Sequence, residues 1–180
     1  YLRLSDGCSN RCAYCTIPDI RGPFRSRPLG RLVEEARELA ADGAEELILV
    51  AQDTTRYGTD RDVTLPQLLE ELQRLDTVRW LRLMYVHPLT LGRELAGFMN
   101  GGKLLRYLDL PIQHADPEVL RWMGRGEQEA RLAPLLDWYR ERVPGLVLRT
   151  TVIVGFPGET AAHFSRLGQF VPPAATGDEE

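Results

Sequence analysis

Apolar runs alternate with helical segments along this chain, and this alternation constrains its fold more than any other feature. Runs such as Leu-Ile-Leu-Val-Ala are continuous rather than alternating with polar residues, which is typical of strands buried in a parallel sheet. The sequence therefore predicts an α/β fold with a parallel sheet, open or closed. We predict strands at Tyr1–Ser5, Glu46–Ala51, Trp80–Val86, Arg106–Ile112 and Leu146–Val154.

The segments between the predicted strands have helical periodicity. In the first of them Leu32, Ala36 and Leu39 recur at helical spacing, and Gly43 is suited to a C-cap. A chain of 180 residues is long enough for one domain with a substantial core. We predict helices at Leu32–Asp42, Leu65–Leu75, Leu91–Asn100, Pro117–Met123 and Glu127–Arg142.

Charge and hydropathy exclude several classes of protein. The formal net charge is −4 with scattered arginines, which argues against a strong nucleic-acid surface. No apolar stretch is long enough to span a membrane, and no signal peptide precedes the first strand. Free thiols without a secretion signal indicate a reducing compartment. We therefore expect a cytoplasmic protein with no membrane partner.

The three cysteines, Cys8, Cys12 and Cys15, all lie within one eight-residue segment. Their odd number disfavours a disulfide framework. Three converging thiolates can hold a soft metal centre while leaving one coordination position open, where chemistry can occur. The residues favour an iron–sulfur cluster; a zinc site completed by a distant histidine, or inert thiols, remain as alternatives.

Polar side chains follow each predicted strand, where ligands bind in parallel α/β folds. Each also has a structural interpretation: Asp53 could cap a helix, His114 could be a satisfied buried histidine, and Arg149 could be a buried paired arginine. His87 is expected to be structural. The candidates in chain order are Cys8, Gln52, Asp53, His87, Gln113, His114 and the segment Gly155–Glu159.

Four arginines, Arg21, Arg25, Arg27 and Arg31, form a basic stretch just after the cysteines. A solvated loop leading into a helix is the simple interpretation. The alternative is a surface that meets an anionic substrate or partner.

The spacing Cys-x3-Cys-x2-Cys, with the aromatic Tyr14 before the last cysteine, resembles the signature of the radical S-adenosylmethionine enzymes. This resemblance implies a partial (β/α) TIM-like barrel with about five parallel strands, truncated before the last strand. It also implies that the three thiolates hold three irons of a 4Fe–4S cluster, while S-adenosylmethionine chelates the fourth. One electron from the cluster would then cleave the sulfonium and produce a radical that abstracts hydrogen.

The same resemblance suggests which side chains contact S-adenosylmethionine. Gln52 and Asp53, after the second strand, would bind its ammonium group, and Arg149 would bind its carboxylate. The fifth-strand segment would contact adenine. No residue is nominated as catalytic. The full set of cofactor-binding candidates is Tyr14, Gln52, Asp53, Gln113, His114, Arg149, Ile153, Gly155 and Glu159.

Longer segments resemble the methylthiotransferase branch, in particular enzymes that modify an aspartate of small-subunit ribosomal protein twelve. They include Ser5–Cys8, Gln52–Thr54, Leu108–Ala115 and Ile153–Thr160. The implied reaction replaces a hydrogen on the aspartate β-carbon with a methylthio group. The implied partners are that ribosomal protein and an electron donor such as flavodoxin or ferredoxin. The alternatives are a transfer-RNA adenosine methylthiotransferase core, or an inactive metal- or cluster-binding fragment.

The resemblance predicts the domain organisation. It covers residues 1–160 as a partial radical core, with 161–180 forming a short helical remnant and a disordered tail. An N-terminal methylthiotransferase domain and a C-terminal TRAM domain are expected to be absent from this chain.

Overall fold

The structure is a computed structural model that describes residues 1–126 and 129–171. Its strands are short, and most are shorter than the apolar runs that predict them. In chain order they are β1 (Leu2–Arg3), β2 (Ser5–Asp6), β3 (Arg25–Ser26), β4 (Glu46–Val50), β5 (Trp80–Leu83), β6 (Tyr107–Asp109) and β7 (Val147–Arg149).

The strands that form the main array run parallel. In the N-terminal sheet, β4 lies between β1 and β5, with Leu49 beside both Leu2 and Leu83. In the C-terminal pair, β6 and β7 place Leu108 beside Leu148. The two groups meet through a parallel bridge from Leu81 to Leu104. The α/β architecture with parallel strands is confirmed, and the described residues form no closed barrel.

The helices pack around this array. Helix α3 begins with a capping box between Thr64 and Gln67, and Pro66 in its first turn suits a helix start. Their bounds are α1 (Ile17–Arg21), α2 (Leu29–Ala41), α3 (Leu65–Gln73), α4 (Leu95–Gly101), α5 (Pro117–Trp122), α6 (Glu129–Arg142) and α7 (Ala161–Phe170).

Burial in β4 alternates, although its sequence is continuously apolar. Leu47 and Leu49 are buried, whereas Glu46, Ile48 and Val50 are partly exposed. The expectation of strands buried on both faces is therefore met on only one face of β4. The other face carries a polar cross-strand contact, in which Arg82 Nε donates to Glu46 Oε1 at 2.6 Å.

Several sequence predictions need correction at this level. The first predicted strand divides into β1 and β2, because β2 leaves the parallel sheet and pairs antiparallel with β3. The fifth ends at Arg149, with only an isolated bridge at Val152 beyond it. Helix α1 and strand β3 were not predicted. The helical remnant is present as α7, and the expected disordered tail beyond residue 171 lies outside the described residues.

No helix in the described ranges combines the length and the apolar character needed to cross a bilayer.

Candidate functional site

The cysteine loop follows β2 and is held by backbone hydrogen bonds. The Cys8 amide donates to Gly22 O at 3.1 Å, and the Ala13 amide donates to Met123 O at 3.0 Å. Gly7 precedes the loop with φ of 67°, and a Cβ there would lie 2.2 Å from Pro23 O. Only glycine fits both the left-handed backbone and this close approach.

A cavity of about 290 Å³ opens over this loop at the carboxyl ends of the parallel strands. All three cysteines contribute to it, together with residues that follow β4, β5 and β6. The structure therefore brings together several side chains that the sequence places at strand ends. Its lining is Cys8, Asn10, Cys12, Tyr14, Cys15, Ile17, Gln52, Tyr85, Val86, His87, Pro111, Gln113, Arg125 and Thr151.

The three thiols are partly exposed, and all three line this cavity. Thiolates on one tetrahedral zinc, at about 2.3 Å from the metal, lie within about 4 Å of one another. Among the described residues, no three His, Cys, Asp or Glu side chains converge closely enough to hold one ion. Three soft sulfur donors beside an open cavity suit an iron–sulfur cluster, which thiolates hold.

The thiols have different hydrogen-bond partners. Cys8 Sγ accepts from the Asn10 amide at 3.4 Å, while Cys12 Sγ accepts from Arg125 Nε at 3.4 Å. Burial raises the pKa of the Cys8 thiol, and the Asn10 amide opposes that rise. In the metal-free chain, Cys8 is therefore harder to ionise than an ordinary cysteine.

Gln52 and Asp53 have different surroundings despite being adjacent. Gln52 lines the cavity, whereas Asp53 is 1% exposed and caps a short 3₁₀ helix at Thr54–Arg56. The Asp53 carboxylate accepts from the hydroxyls of Thr55 at 2.9 Å and Thr90 at 3.1 Å. Burial raises the pKa of Asp53, and these two hydrogen bonds oppose the rise. The capping interpretation therefore describes Asp53 well, and its cofactor contact stays a prediction.

Gln113 and His114 lie a few residues beyond the end of β6. Gln113 lines the cavity with φ of 68°, and its backbone carbonyl accepts from the Ile153 amide at 2.7 Å. His114 is fully buried; its Nδ1 accepts from the Asp116 amide at 2.9 Å, and its Nε2 lies 3.5 Å from Glu159 Oε1. These contacts tie the end of β6 to α5 and to the loop before α7.

The candidates in and after the fifth predicted strand are not among the described residues that line the cavity. Glu159 has a buried side chain that accepts from the Phe156 amide at 2.9 Å, and Gly155 has φ of 76°. Arg149 Nη1 donates to the buried Asp109 carboxylate at 2.9 Å, although the arginine side chain itself is half exposed. The cofactor contacts assigned to Ile153, Gly155, Glu159 and Arg149 stay predictions.

The lining residues that were not among the predicted cofactor contacts include Tyr85, His87 and Arg125. The sequence placed His87 directly after a predicted strand, although it was expected to be structural. Desolvation, and then the nearby charges of Arg125 and Arg56, lower the pKa of His87 to about 4. Its imidazole is therefore neutral at neutral pH. Arg125 comes from the turn after α5 and carried no such signal.

The basic stretch after the cysteines is partly neutralised by acidic neighbours. Arg27 pairs with Glu35 at 2.5 Å, and Arg31 pairs with Glu34 at 3.0 Å. These contacts favour a structural and solvated role for both arginines.

Comparison with protein families and characterised relatives agrees with this geometry. The family model described as the Radical SAM superfamily matches residues 2–171. The chain is 50% identical over 174 residues to the ribosomal protein uS12 methylthiotransferase RimO of Desulforudis audaxviator, covering 95% of this chain and 39% of that protein. It is 48% identical over 177 residues to RimO of Trichlorobacter lovleyi, covering 97% of this chain and 39% of that protein.

Solved structures show the same fold at lower sequence similarity. The radical S-adenosylmethionine methyltransferase TsrM from Kitasatospora setae, with cobalamin and a [4Fe-4S] cluster bound, matches with a TM-score of 0.70 and 22% identity. That match covers 94% of this chain and 33% of TsrM. The chain thus spans about two fifths of the length of the curated relatives it matches.

Proposed function

The chain belongs to the Radical SAM superfamily, and we propose from this premise that it is the radical core of a methylthiotransferase acting on ribosomal protein uS12. The observation that carries the proposal is the placement of Cys8, Cys12 and Cys15 around one cavity at the strand ends. The identity of 43–50% to RimO proteins over almost the whole chain supports the choice of substrate.

In this proposal, Cys8, Cys12 and Cys15 hold the 4Fe–4S cluster, and S-adenosylmethionine binds in the same cavity. The cluster and S-adenosylmethionine, when bound, supply the radical chemistry that activates a carbon–hydrogen bond. The protein supplies ligands, orientation and exclusion of water.

The remaining cavity residues divide by chemistry. The amide groups of Gln52 and Gln113 lie on the lining and can bind polar parts of the cofactor. Ile17, Val86 and Pro111 supply apolar walls that limit access of water to the reacting atoms. The proposed macromolecular partners are the ribosomal protein and a low-potential electron donor of the flavodoxin or ferredoxin type.

Anaerobic reconstitution with iron and sulfide tests the cluster assignment. We expect a brown protein with broad absorption near ~400 nm. A variant with all three cysteines replaced by alanine should stay colourless. As a matched control, His163→Ala removes a potential metal ligand that pairs with Glu118 away from the cavity lining, and it should keep the absorption. Zinc binding without the iron–sulfur absorption would contradict the proposal.

Reduction of the reconstituted protein with S-adenosylmethionine then tests radical chemistry. We expect 5′-deoxyadenosine from the parent chain and none from the triple variant. The substrate assignment is tested by mass spectrometry after incubation with uS12 or with transfer RNA containing hypermodified adenosine. Methylthiolation of the RNA alone would replace the ribosomal-protein assignment with the transfer-RNA alternative.

A further inference from the structure

The turn that follows α5 packs directly on the cysteine loop. The Ala13 amide donates to Met123 O at 3.0 Å, which joins the loop to the end of the helix. Gly124 has φ of 73°, and a Cβ there would lie 2.9 Å from Arg11 O. The Arg125 amide donates to Leu120 O at 2.7 Å. The backbone of Arg125 is therefore held in place beside the cysteines.

The Arg125 side chain contacts three parts of the cavity wall. Its Nε donates to Cys12 Sγ at 3.4 Å, and its Nη1 donates to Pro111 O at 3.4 Å. The guanidinium carbon lies 5.9 Å from the centre of the Tyr14 ring. A planar guanidinium can serve all of these directions at once, whereas a lysine ammonium cannot reproduce the geometry.

The Arg125 charge also acts on a neighbouring imidazole. The Arg125 cation contributes to lowering the pKa of His87, after the larger effect of desolvation. Arg125 therefore places a positive charge next to the Cys12 sulfur in a partly desolvated cavity.

The groups that donate hydrogen bonds to the sulfurs of Cys8 and Cys12 differ in charge. Cys8 accepts from a neutral backbone amide, whereas Cys12 accepts from a guanidinium. Hydrogen bonds to cluster sulfurs and nearby net charge are among the factors that set iron–sulfur potentials. A charged donor stabilises the more negative, reduced form more than the oxidised form.

We propose that Arg125 is a positioning residue that orients Cys12 and raises the reduction potential of the 4Fe–4S cluster held by the cysteine loop. The proposal rests on the function proposed above. The step concerned is the addition of one electron from an external low-potential donor, with no bond formed or broken in the protein. Arg125 makes the cluster easier to reduce by compensating the added negative charge.

The test is an anaerobic redox titration of the reconstituted chain, monitored by electron paramagnetic resonance of the reduced cluster. Arg125→Met removes the charge and the sulfur hydrogen bond but keeps an unbranched stem. At a fixed potential we expect the ratio of reduced to oxidised cluster to fall about tenfold, which is about 59 mV for one electron. Arg125→Lys keeps the charge, and we expect less than half of that shift.

Arg56→Met is the matched control. Arg56 also contributes to lowering the pKa of His87, but its Nη1 donates to Asn10 Oδ1 at 3.1 Å rather than to a thiol. We expect the reduction potential of the cluster, relative to the parent, to shift less in Arg56→Met than in Arg125→Met. Equal shifts in the two variants would overturn the role of the Cys12 contact, because they would indicate a general effect of charge on the cavity.

Two further outcomes separate this inference from the proposed function. A parent chain that binds no cluster would overturn both. A parent with a cluster and an Arg125→Met variant of unchanged potential would overturn only the inference. If Arg125→Met does not retain a cluster, Arg125→Gln removes the charge with a polar side chain of similar reach. An unchanged potential in that variant would also overturn the inference.

Discussion

β4 lies at the centre of the N-terminal sheet, whereas β7 lies at the edge of the C-terminal pair, and their side chains differ accordingly. Leu47 and Leu49 of β4 are buried, while Val147 of β7 is 56% exposed and Leu148 is only partly buried. The cysteine loop follows the N-terminal sheet by way of β1 and β2. The proposed adenine-contacting segment follows β7, the more exposed strand of the C-terminal pair. The comparison teaches that the two sides of the site start from strands that are buried to different extents.

The largest effect is expected from a pair of matched leucine truncations, one in β4 and one in β7. Leu49→Ala removes a fully buried side chain from β4 and should lower the free energy of unfolding by about 2–5 kcal/mol. Leu148→Ala, in the partly buried position on β7, should cost about 1 kcal/mol. Urea denaturation of both variants gives the two values. Equal losses in the free energy of unfolding would show that the two sheets contribute equally to stability. The contrast between β4 and β7 would then have no energetic basis.

His87 gives a pH-dependent test at the junction of the two sheets. Its pKa falls from 6.5 to about 4 on folding, mainly through desolvation. Since the unfolded chain binds the proton more tightly, stability is full above pH 6.5 and is lost as the pH falls toward 4. The loss from this one group should be about 3 kcal/mol.

Urea unfolding between these two pH values, compared with His87→Gln, isolates the contribution of His87. The difference in stability between parent and variant should decrease as the pH falls. A constant difference would show that the imidazole is as well solvated in the folded chain as in the unfolded chain.

The ion pair across the C-terminal pair predicts an asymmetric effect. Arg149→Met leaves the fully buried Asp109 carboxylate without its guanidinium and should cost about 2 kcal/mol. Asp109→Asn leaves a half-exposed guanidinium that water can solvate, and should cost about 1 kcal/mol or less. Thermal or urea unfolding distinguishes them. A larger loss from Asp109→Asn would mean that the second contact of this carboxylate, in which it accepts from the Tyr85 amide at 3.3 Å, matters more than the ion pair.

The smallest expected effects come from two strand-end residues with left-handed backbones. Gln113 has φ of 68° and Tyr85 has φ of 56°, and both line the cavity. Replacing Gln113 with glycine should raise the stability of the cofactor-free chain by up to about 1 kcal/mol, because glycine adopts this conformation without strain. Tyr85→Gly, on the N-terminal sheet side, is the matched comparison. A loss of stability in Gln113→Gly would mean that its side-chain contacts outweigh the strain.

Much of the architecture could be predicted from the sequence because its signals are local. Continuous apolar runs located β4 and β5, and helical spacing located α2, with boundaries that differ by a few residues. The cysteine spacing pointed to the loop whose three cysteines line the cavity. Strand-end position also identified Gln52 and Gln113 as residues near it, and both line the cavity.

The remaining features depend on contacts between distant segments. Asp53 satisfies a local cap and a hydroxyl of Thr90, so its position after a strand did not reveal which way its side chain would point. Arg125 reaches Cys12 across 113 residues of sequence. No local sequence pattern indicates the contact of Asp53 with Thr90 or the contact of Arg125 with Cys12. Side-chain direction and long-range docking are therefore what the sequence pattern could not supply.

The hydrogen bond from Ala13 to Met123 has a consequence for the order of events during synthesis. The cysteines emerge from the ribosome more than a hundred residues before the segment that packs against their loop. Closing so long a loop is entropically costly until the intervening helices and strands have formed. During synthesis the cysteine segment therefore lacks the hydrogen bond to Met123 until the intervening chain has folded. Iron delivered before this segment packs on the loop would meet three thiols on an unsupported segment. Iron delivered afterwards would meet a folded binding site.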